Sequence, residues 1–299
     1  MKNIKIKVLA PTRQEDDRDF GDCFIINDNG KVIVYDCGSE ELADQVLDYL
    51  SDNNIDMVDI VLSHNDSDHF NGIPKLVDAG VVNSITTLLL LKYKHEIFDK
   101  IKDGRVSENS LEEHIIEMYD NIYSLSGNNL IDALDTSFRL SDNVKVVGPS
   151  EDYFIDAVAK QFTPTESDII DNSTIMNAIS VQLEINFGNK KILLTGDADF
   201  AAFEDKICDY DAIQLPHHGN SDMAELIFDK NKNRNNVLYI VSDNKGKNIN
   251  GGSAKLNNKG HYIKNTQSGS FEIDDSSFNI EAKGNLCSNE IYFTKSKNF

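Results

Sequence analysis

Short aliphatic runs that end in Gly, Asp or Pro recur along most of the sequence. Examples are KIKVLA, KVIVYDCG, MVDIVLSH, KILLTGD and AIQLPHHG. Runs of this length that are rich in Val, Ile and Leu predict buried strands. Segments with helical spacing lie between them, such as SEELADQVLDYLSDN, GIPKLVDAG, SLEEHIIEMYDNIYSLS and DFAAFEDKICD, and the turns NDNGK and FGNKK predict hairpins. This mixture predicts a layered α/β protein with mixed sheets.

The length of 299 residues allows one large core or two smaller ones. Residues 93–140 are polar with helical spacing, and we predict that they form a helical insertion or lid. The stretches FTPTESDIIDNSTIMNA and DNKGKNINGGSAKLNNKG are predicted loops, and the second is the most basic local stretch of the chain.

The charge of the chain limits its partners. Its formal net charge is −21, whereas binding along a track of DNA phosphates normally requires a basic surface. Either the substrate contacts a small site that metal ions neutralise, or a basic patch exists that composition does not reveal. Acidic charge also has a simpler role, which is to keep the protein soluble.

The cysteines Cys23, Cys37, Cys208 and Cys287 are scattered, so neither a zinc ribbon nor a disulfide framework is predicted. The longest apolar runs are too short to cross a bilayer. The first residues alternate Lys with aliphatic residues and lack the pattern of a signal peptide. We therefore expect a reduced, cytoplasmic protein that does not associate with a membrane.

The stretch VLSHNDSDHFNGIP collects His64, Asp66, Asp68 and His69 at the end of a predicted buried strand. Alternate residues of a turn at a strand end converge on one point, so this spacing offers two nearby ligand sets. Imidazole and carboxylate together suit Zn, Mn or Fe, and the carboxylate share favours Mn. The alternative is a helix-capping turn in which Asp68 caps the helix and both histidines are exposed.

Two other strand ends carry residues of the same types. KILLTGDADF places Asp197 after a strand, and AIQLPHHGNSD places His217 and His218 after another. Three strand ends therefore deliver metal-binding side chains, as in the assembly of a two-metal hydrolase site. This repetition favours a metal site over a capping turn.

The order SHNDSDHFNG, LTGDAD and LPHHGN resembles the metallo-β-lactamase fold, and within it the hydrolase domain of ComEC-type competence proteins and their stand-alone relatives. The motifs that carry the resemblance are Gly21-Asp22, Asp36-Cys37-Gly38, Ser63 to Gly72, Asn177 with Ser180, Leu194 to Ala198 and Pro216 to Gly219. They run in order from about Gly21 to about Ile273. The resemblance implies a four-layer αββα sandwich with metals at one edge of the two sheets, in a single domain over residues 1–299.

Position by position, the resemblance implies a set of metal ligands and supporting residues. The implied ligands are His64, Asp66, Asp68, His69, Asp197, which would bridge two metals, and His217. Asp68 and His218 are the implied catalytic residues, with His218 contacting phosphate or protonating the leaving oxygen; the roles of His217 and His218 could be exchanged. Asp22, Asp36 and Asn177 would orient the ligands or contact substrate. A plain turn-forming role is the alternative for Asp22 and Asp36.

The sequence departs from the pattern in two places. Most enzymes of this fold have another ligand histidine before the Gly-Asp strand, where only His95 and His114 occur here. The ComEC-type proteins often lack it too. Relatives also commonly carry His-Pro after the VS strand, where this chain has NGGSAKLNNKGHY and His261 as a possible substitute. Substrate recognition near that loop is therefore not predicted.

The leading hypothesis is a metal-dependent phosphodiesterase, or nuclease, that cleaves DNA or short nucleic acid with two divalent ions, Mn or Zn. A second hypothesis is a hydrolase of a small phosphoester or ester substrate, of nucleotide or phosphocholine type. A third is a binding module without catalytic activity, which the intact cluster of ligand types disfavours.

Overall fold

The computed structural model describes residues 4–11, 21–125, 127, 129–162, 174–242, 256 and 260–278. The strands are β1 (Ile4–Val8), β2 (Phe24–Asp28), β3 (Lys31–Tyr35), β4 (Val58–Val61), β5 (Val82–Thr87), β6 (Leu130–Asp132), β7 (Val144–Gly148), β8 (Gln182–Phe187), β9 (Lys190–Leu194), β10 (Ala212–Gln214), β11 (Leu238–Val241), β12 (Tyr262–Asn265) and β13 (Phe271–Ile273). The α-helices are α1 (Glu40–Asp52), α2 (Ser67–Phe70), α3 (Ile73–Asp78), α4 (Lys94–Lys100), α5 (Glu108–Met118), α6 (Asp120–Tyr123), α7 (Glu151–Gln161), α8 (Ile175–Ala178), α9 (Pro216–Gly219) and α10 (Ser221–Lys230). Short 3₁₀ helices cover Leu90–Tyr93, Phe200–Ala202, Ile207–Asp209, Thr266–Ser268 and Asp275–Phe278.

The strands of the described residues form two sheets. The first has the order β13-β1-β2-β3-β4-β5-β6, and the second has the order β12-β11-β10-β9-β8-β7. In the first sheet β3, β4, β5 and β6 run parallel, whereas β13, β1, β2 and β3 are antiparallel neighbours. In the second sheet β9, β10, β11 and β12 run parallel, and β7, β8 and β9 are antiparallel. Both sheets are thus mixed, as predicted.

Strand β11 of the second sheet is apolar on both faces because each face is covered. Leu238 and Ile240 of β11 belong to the large core that both sheets share. The alternate residues, Tyr239 and Val241, belong to a second cluster that contains Ile227 of α10. Since successive side chains of a strand point to opposite faces, the second sheet lies between the shared core and a helical layer.

The first sheet is covered by α1 and α3, which connect its parallel strands. Helix α1 begins after Ser39, whose side chain accepts a hydrogen bond from the amide of Leu42. This is the usual way to satisfy a free amide at a helix start. Its apolar residues, among them Leu42, Val46 and Leu50, are buried in the shared core. Helices on the outer faces of two sheets confirm the predicted α/β sandwich.

Several segments differ from the sequence-based expectations. Helices α4, α5 and α6 lie within 93–140, but this range also contains β6, which pairs with β5 as the edge of the first sheet. The prediction of a helix for DFAAFEDKICD was wrong, because this stretch forms two 3₁₀ turns instead. Most of the predicted loop at 243–260 and residues 163–173 of the predicted loop at 162–178 lie outside the described residues. The end of the second loop was predicted wrongly, because Ile175–Ala178 form the helix α8.

Candidate metal centre

The candidate site lies where the carboxyl ends of parallel strands from both sheets meet. Asp36 follows β3, and residues 64–69 follow β4 in the first sheet. Asp197 follows β9 and residues 217–218 follow β10 in the second. The two sheets contribute to one cluster because His69 Nε2 lies 3.4 Å from an Asp197 carboxylate oxygen. The three strand ends singled out in the sequence therefore converge in space.

His64, His69 and Asp197 form the first potential ligand group, and each offers an atom within 4.8 Å of the others. His64 Nε2 lies 4.0 Å from Asp197 Oδ2, and the two imidazole rings have their centroids 4.2 Å apart. Asp66 Oδ2 is 3.7 Å from His64 Nε2, and its side chain is 40 % exposed. The group itself is thus buried, and Asp66 adds one carboxylate at its exposed edge.

Asp68, His69 and His218 form the second group. His218 Nε2 lies 2.8 Å from Asp68 Oδ2. His217 and His218 both adopt left-handed backbone conformations, with φ of 53° at each. Such conformations are uncommon for residues other than glycine and cluster at functional sites. This turn brings His218 into the second group, which does not include His217.

A test of metal binding is whether donor atoms in this cluster lack other partners. The Nε2 atoms of His64 and His69 are buried and make no hydrogen bond within the described part of the chain. A buried polar atom without a partner is costly. Imidazole nitrogens and carboxylate oxygens are also the donor set that Zn and Mn accept. The residues present therefore fit divalent ions.

Asp36 fixes the orientation of this ligand turn. Its Oδ1 accepts a hydrogen bond of 2.7 Å from the Ser63 amide, and its Oδ2 accepts one of 2.7 Å from the Ser63 hydroxyl. The same Oδ2 lies 2.8 Å from His69 Nδ1. A carboxylate that accepts from Nδ1 leaves Nε2 as the ligand atom, which is a common arrangement behind metal-binding histidines.

The remaining histidines have similar supports. His218 Nδ1 lies 3.1 Å from Asp22 Oδ1 and also 3.1 Å from the Ser242 carbonyl oxygen. His64 Nδ1 lies 3.0 Å from the Ser63 hydroxyl and 3.2 Å from the Ser180 hydroxyl. In each case Nδ1 has a partner on the protein, so Nε2 is the nitrogen that faces the cluster.

Two amide side chains hold the carboxylates. Asn177 Nδ2 donates to Asp197 Oδ2 over 3.2 Å. Gln214 Nε2 donates to Asp22 Oδ2 over 2.5 Å, while Gln214 Oε1 accepts from the amides of Thr195 and Gly196. Gln214 therefore connects the first sheet, through Asp22, to the strand end that carries Asp197.

The electrostatics of the cluster favour positive charge. Burial alone would lower the pKa of the His69 imidazole, but the carboxylates of Asp197 and Asp36 raise it well above its usual value. Burial likewise opposes the shift at His218, whose pKa is raised well above its usual value by Asp22, Asp68 and Asp197. Although burial would raise it, the pKa of Asp197 is held well below its usual range by the surrounding histidines. The carboxylates thus create a negative potential that suits cations.

Backbone packing beneath the site is tight. A Cβ atom at Gly38 would lie 1.9 Å from the Asp68 carbonyl oxygen and 2.8 Å from Gly21 Cα. The Asp68 carbonyl also accepts a hydrogen bond of 2.9 Å from the Asp22 amide. Only glycine permits this approach of the three segments, so the glycine motifs around Asp22 and Asp36 seat the ligand turn.

Most of the site residues that the sequence indicated lie together. They are His64, Asp66, Asp68, His69, Asp197, His218, Asp22, Asp36 and Asn177. The capping-turn alternative does not describe the 64–69 turn, because His64 and His69 are buried and the residue that precedes α2 is Asp66, without a side-chain capping bond.

His217 occupies a different position from the one expected of a ligand. It is half-buried, and its amide donates to Asp197 Oδ1 over 3.1 Å. In the described residues it belongs to none of the potential ligand groups. The geometry therefore favours exchanging the two roles, with His218 among the ligands and His217 beside them.

The sequence-based reasoning gave no role to Ser63, Ser180 and Gln214 beyond their place in a motif or a strand. Gln214 had a detectable signal, since it is a polar residue within the aliphatic strand AIQL. The two serines had none outside the resemblance, because a single hydroxyl is common at strand ends.

The other histidines lie away from the cluster. His95 is 2.6 Å from Glu108 with an exposed side chain, and His114 packs against Phe162 with ring centroids 5.2 Å apart. His261 stacks on Phe228 with centroids 3.8 Å apart. It precedes β12, at the end of the sheet opposite the site, so it does not replace a ligand.

Comparisons with known proteins agree with this architecture. A family model described as the metallo-beta-lactamase superfamily matches residues 16–123. Tm1679, a metal-dependent hydrolase of the β-lactamase superfamily, is 13 % identical with a TM-score of 0.53 and covers 91 % of this chain and 99 % of its own. YhfI of Bacillus subtilis, a metallo-β-lactamase fold protein, is 12 % identical with a TM-score of 0.49 and covers 91 % of this chain and 100 % of its own. No curated protein matches the sequence significantly.

The chain therefore has the metallo-β-lactamase fold, which confirms the predicted fold class. The family match covers β2 to β5 of the first sheet with the 64–69 turn, and the structural match, which covers 91 % of the chain, extends over the second sheet as well. Among the described residues no helix is both long and apolar enough to cross a membrane.

Proposed function

We propose that the protein is a metal-dependent phosphodiesterase that acts on nucleic acid or on a short phosphodiester. The observation that carries this proposal is the convergence of buried, unbonded Nε2 atoms of His64 and His69 on the Asp197 carboxylate. A carboxylate between two ligand groups suits a reaction in which both the attacking and the leaving oxygen need charge stabilisation.

In this proposal two divalent ions, Mn or Zn, share the cluster. His64, Asp66 and Asp197 would hold one, and Asp68, His69 and His218 would hold the other. Bound ions of this kind lower the pKa of water towards neutrality and stabilise negative charge on a phosphoryl group.

The chain's own groups orient the ligands and surround the substrate. Asp36 and Asp22 keep the Nε2 atoms of His69 and His218 directed at the cluster. His217 is half-buried beside Asp197, and its imidazole is our candidate for contacting the phosphate or protonating the leaving oxygen. Asp68, held by His218, completes the cluster from the side of the ligand turn.

The class of phosphodiester is set by two opposing considerations. The resemblance to ComEC-type hydrolase domains favours DNA. The net charge of −21 disfavours tight binding along a duplex. It favours the second candidate, a small phosphoester of nucleotide or phosphocholine type, or a short single strand. A binding module without activity is the least favoured, since the ligand types are all in place.

The direct test is an activity screen with Mn²⁺, Zn²⁺ and Mg²⁺ over single-stranded DNA, duplex DNA, RNA and a bis-aryl phosphodiester. We expect metal-dependent hydrolysis that Asp68→Ala and His69→Ala abolish. His95→Ala is the matched control, because this exposed histidine lies outside the described cluster. Hydrolysis that survives both site substitutions would overturn the site assignment. Failure of the metal-depleted protein to bind any divalent ion would favour the binding module.

Salt dependence separates the two substrate classes. A protein that contacts several phosphates of a nucleic acid loses affinity steeply as the salt concentration rises, whereas affinity for a small substrate changes little. We expect the KM of the preferred substrate to rise steeply with salt concentration if that substrate is a nucleic acid, and to change little if it is a small phosphoester.

A further inference from the structure

Asn65 lies between two of the proposed ligands, His64 and Asp66, and connects them to the helices of the 93–140 insertion. Its Nδ2 donates to the Met118 carbonyl oxygen over 2.7 Å and to Asn121 Oδ1 over 2.9 Å. In return, Asn121 Nδ2 donates to the Asn65 carbonyl oxygen over 3.2 Å. The Asn121 side chain thus pairs with both the side chain and the backbone carbonyl of Asn65, which lies 56 residues earlier in the sequence.

The insertion side of this pair is firmly held. Asn121 Oδ1 also accepts from the amide of Ile122 over 2.9 Å, which fixes its orientation. The neighbouring side chains of Tyr119 and Ile122 are 2 % and 1 % exposed and belong to the shared core. Met118 ends α5, where backbone carbonyls have no partner within the helix. Asn65 supplies a partner for one of them.

The ligand that most needs such support is Asp66. Its side chain is 40 % exposed, and its nearest ionisable partner among the described residues is His64, whose Nε2 lies at 3.7 Å. Asp36, Asp68 and Asp197 have hydrogen-bond partners at 2.7–3.2 Å, whereas Asp66 has no side-chain capping bond to α2. The position of Asp66 therefore depends on its backbone, which directly follows the Asn65 carbonyl that Asn121 holds.

We infer that Asn121 and Asn65 are positioning residues through which the insertion sets the direction of the Asp66 carboxylate. They would thereby set the affinity for the ion that His64, Asp66 and Asp197 would hold. The inference rests on the proposed metal centre and assigns the insertion a role in building it. Asn121 contacts neither ligand side chain, so it acts through the peptide between His64 and Asp66. Partners that bond a ligand side chain directly change metal affinity by about 10- to 100-fold when they are removed, and we expect the indirect effect of Asn121 at the lower end of this range.

The test is calorimetric titration of the metal-depleted full-length protein with Mn²⁺ and, separately, Zn²⁺. For Asn121→Ala we expect one binding event to weaken by about tenfold. Asn65→Ala should weaken the same event less, because it keeps the Asn121 bond to the Asn65 backbone carbonyl. The double variant should lose no more than Asn121→Ala, since Asn121 is the common partner of both bonds. If Asn121→Ala does not fold, Asn65→Ala must weaken the same binding event by more than twofold.

Two controls separate positioning from general stability. Asn109→Ala changes an exposed amide on α5 and should leave both stability and affinity unchanged. Leu111→Ala removes a buried side chain of the same helix and should lower the unfolding temperature without lowering the affinity for metal. Affinity of the Asn variants within twofold of wild type, or equal weakening in Leu111→Ala, would overturn the inference. If wild type itself bound no metal, the proposed function would fail first.

Discussion

The Asp36 carboxylate joins the ligand turn to the end of β3. In Asp36→Asn the amide nitrogen can no longer accept the proton of His69 Nδ1, which lies 2.8 Å from the present carboxylate. The imidazole would then carry its proton on Nε2, the atom that faces Asp197. We expect metal affinity to fall by about 10- to 100-fold, as measured by titration with Mn²⁺.

The matched control for this change is Asp59→Asn. Asp59 is also buried, at 4 % exposure, and accepts from Asn83 and Ser84 on the same sheet. It is the second residue of β4, near the end of the strand away from the metal centre. Its substitution should lower stability without changing metal affinity. Equal losses of affinity in the two variants would contradict a specific role for Asp36.

Gly38 tests the close packing beneath the ligand turn. A methyl group there would overlap the Asp68 carbonyl oxygen, which lies 1.9 Å from the position that a Cβ atom would take. Gly38→Ala must therefore displace the turn, and we expect a loss of about 1–3 kcal/mol in the free energy of unfolding together with weaker metal binding. Urea unfolding and metal titration measure the two effects.

Gly104→Ala provides the comparison, since a Cβ at Gly104 meets nothing within 4 Å. Its stability should stay within about 0.5 kcal/mol of wild type. A Gly38→Ala protein that was as stable as Gly104→Ala and bound metal normally would show that the turn can relax, contrary to the packing argument.

At the residue scale, the sequence predicted side chains whose chemistry is unusual and missed those whose chemistry is ordinary. His64, Asp68 and His69 were detectable because imidazoles and carboxylates rarely alternate at a strand end. Ser63 was not, because its importance arises from three partners that only folding brings to it. The choice between His217 and His218 depended on two left-handed residues, which local sequence does not specify.

At the scale of the elements, Glu184 of β8 connects three parts of the second sheet, namely β7, β9 and the turn before β10. It lies 3.1 Å from Lys145 of β7 and 3.4 Å from Lys191 of β9, and it accepts from the Tyr210 hydroxyl. Although burial opposes the shift, the hydrogen bond and charge of Lys145 keep its pKa below the ordinary value of 4.5. A carboxylate with a lowered pKa stabilises the fold above its unfolded-state pKa, and this contribution disappears as the pH falls through the folded-state pKa.

Glu184→Gln should therefore cost about 1–2 kcal/mol near neutral pH. The difference from wild type should shrink as the pH falls below about 4.5. Urea unfolding of both proteins near neutral pH and at about pH 4 measures this change. Glu225→Gln, on the exposed side of α10, should show no such pH dependence. A constant difference at both pH values would mean that packing, not charge, explains the loss.

The elements that sequence patterns predicted well are those with a strong period or a tight turn. Helix α1 and the hairpins β2–β3 and β8–β9 follow NDNGK, FGNKK and a clear amphipathic pattern. The stretch DFAAFEDKICD has helical spacing but folds as two 3₁₀ turns, because its aromatic residues pack beneath α10. β6 was missed because a three-residue edge strand depends on its neighbour β5 for its hydrogen bonds.

At the scale of the whole molecule, folding brings together the histidines and carboxylates of the candidate metal centre. The ligands come from both sheets, so they are adjacent only in the folded protein. An ion that binds the folded state alone stabilises it by mass action. The metal centre should therefore be visible in the unfolding of the entire domain.

Metal removal is consequently expected to lower the stability of the whole chain. With free Mn²⁺ at about 100 times its Kd, each occupied site should add about 2.7 kcal/mol to the free energy of unfolding. For a chain of 299 residues, each kcal/mol of added stability should raise the unfolding temperature by about 1.5–2 °C. Thermal unfolding of chelator-treated protein, with and without added Mn²⁺, measures this increase. Asp197→Ala should abolish most of it, because Asp197 contacts both the His64 and His69 sides of the cluster, whereas His95→Ala should retain it. If Mn²⁺ did not change the unfolding temperature of wild type, the centre would not bind the ion. If Mn²⁺ raised the unfolding temperatures of wild type and Asp197→Ala equally, the ion would bind outside this centre.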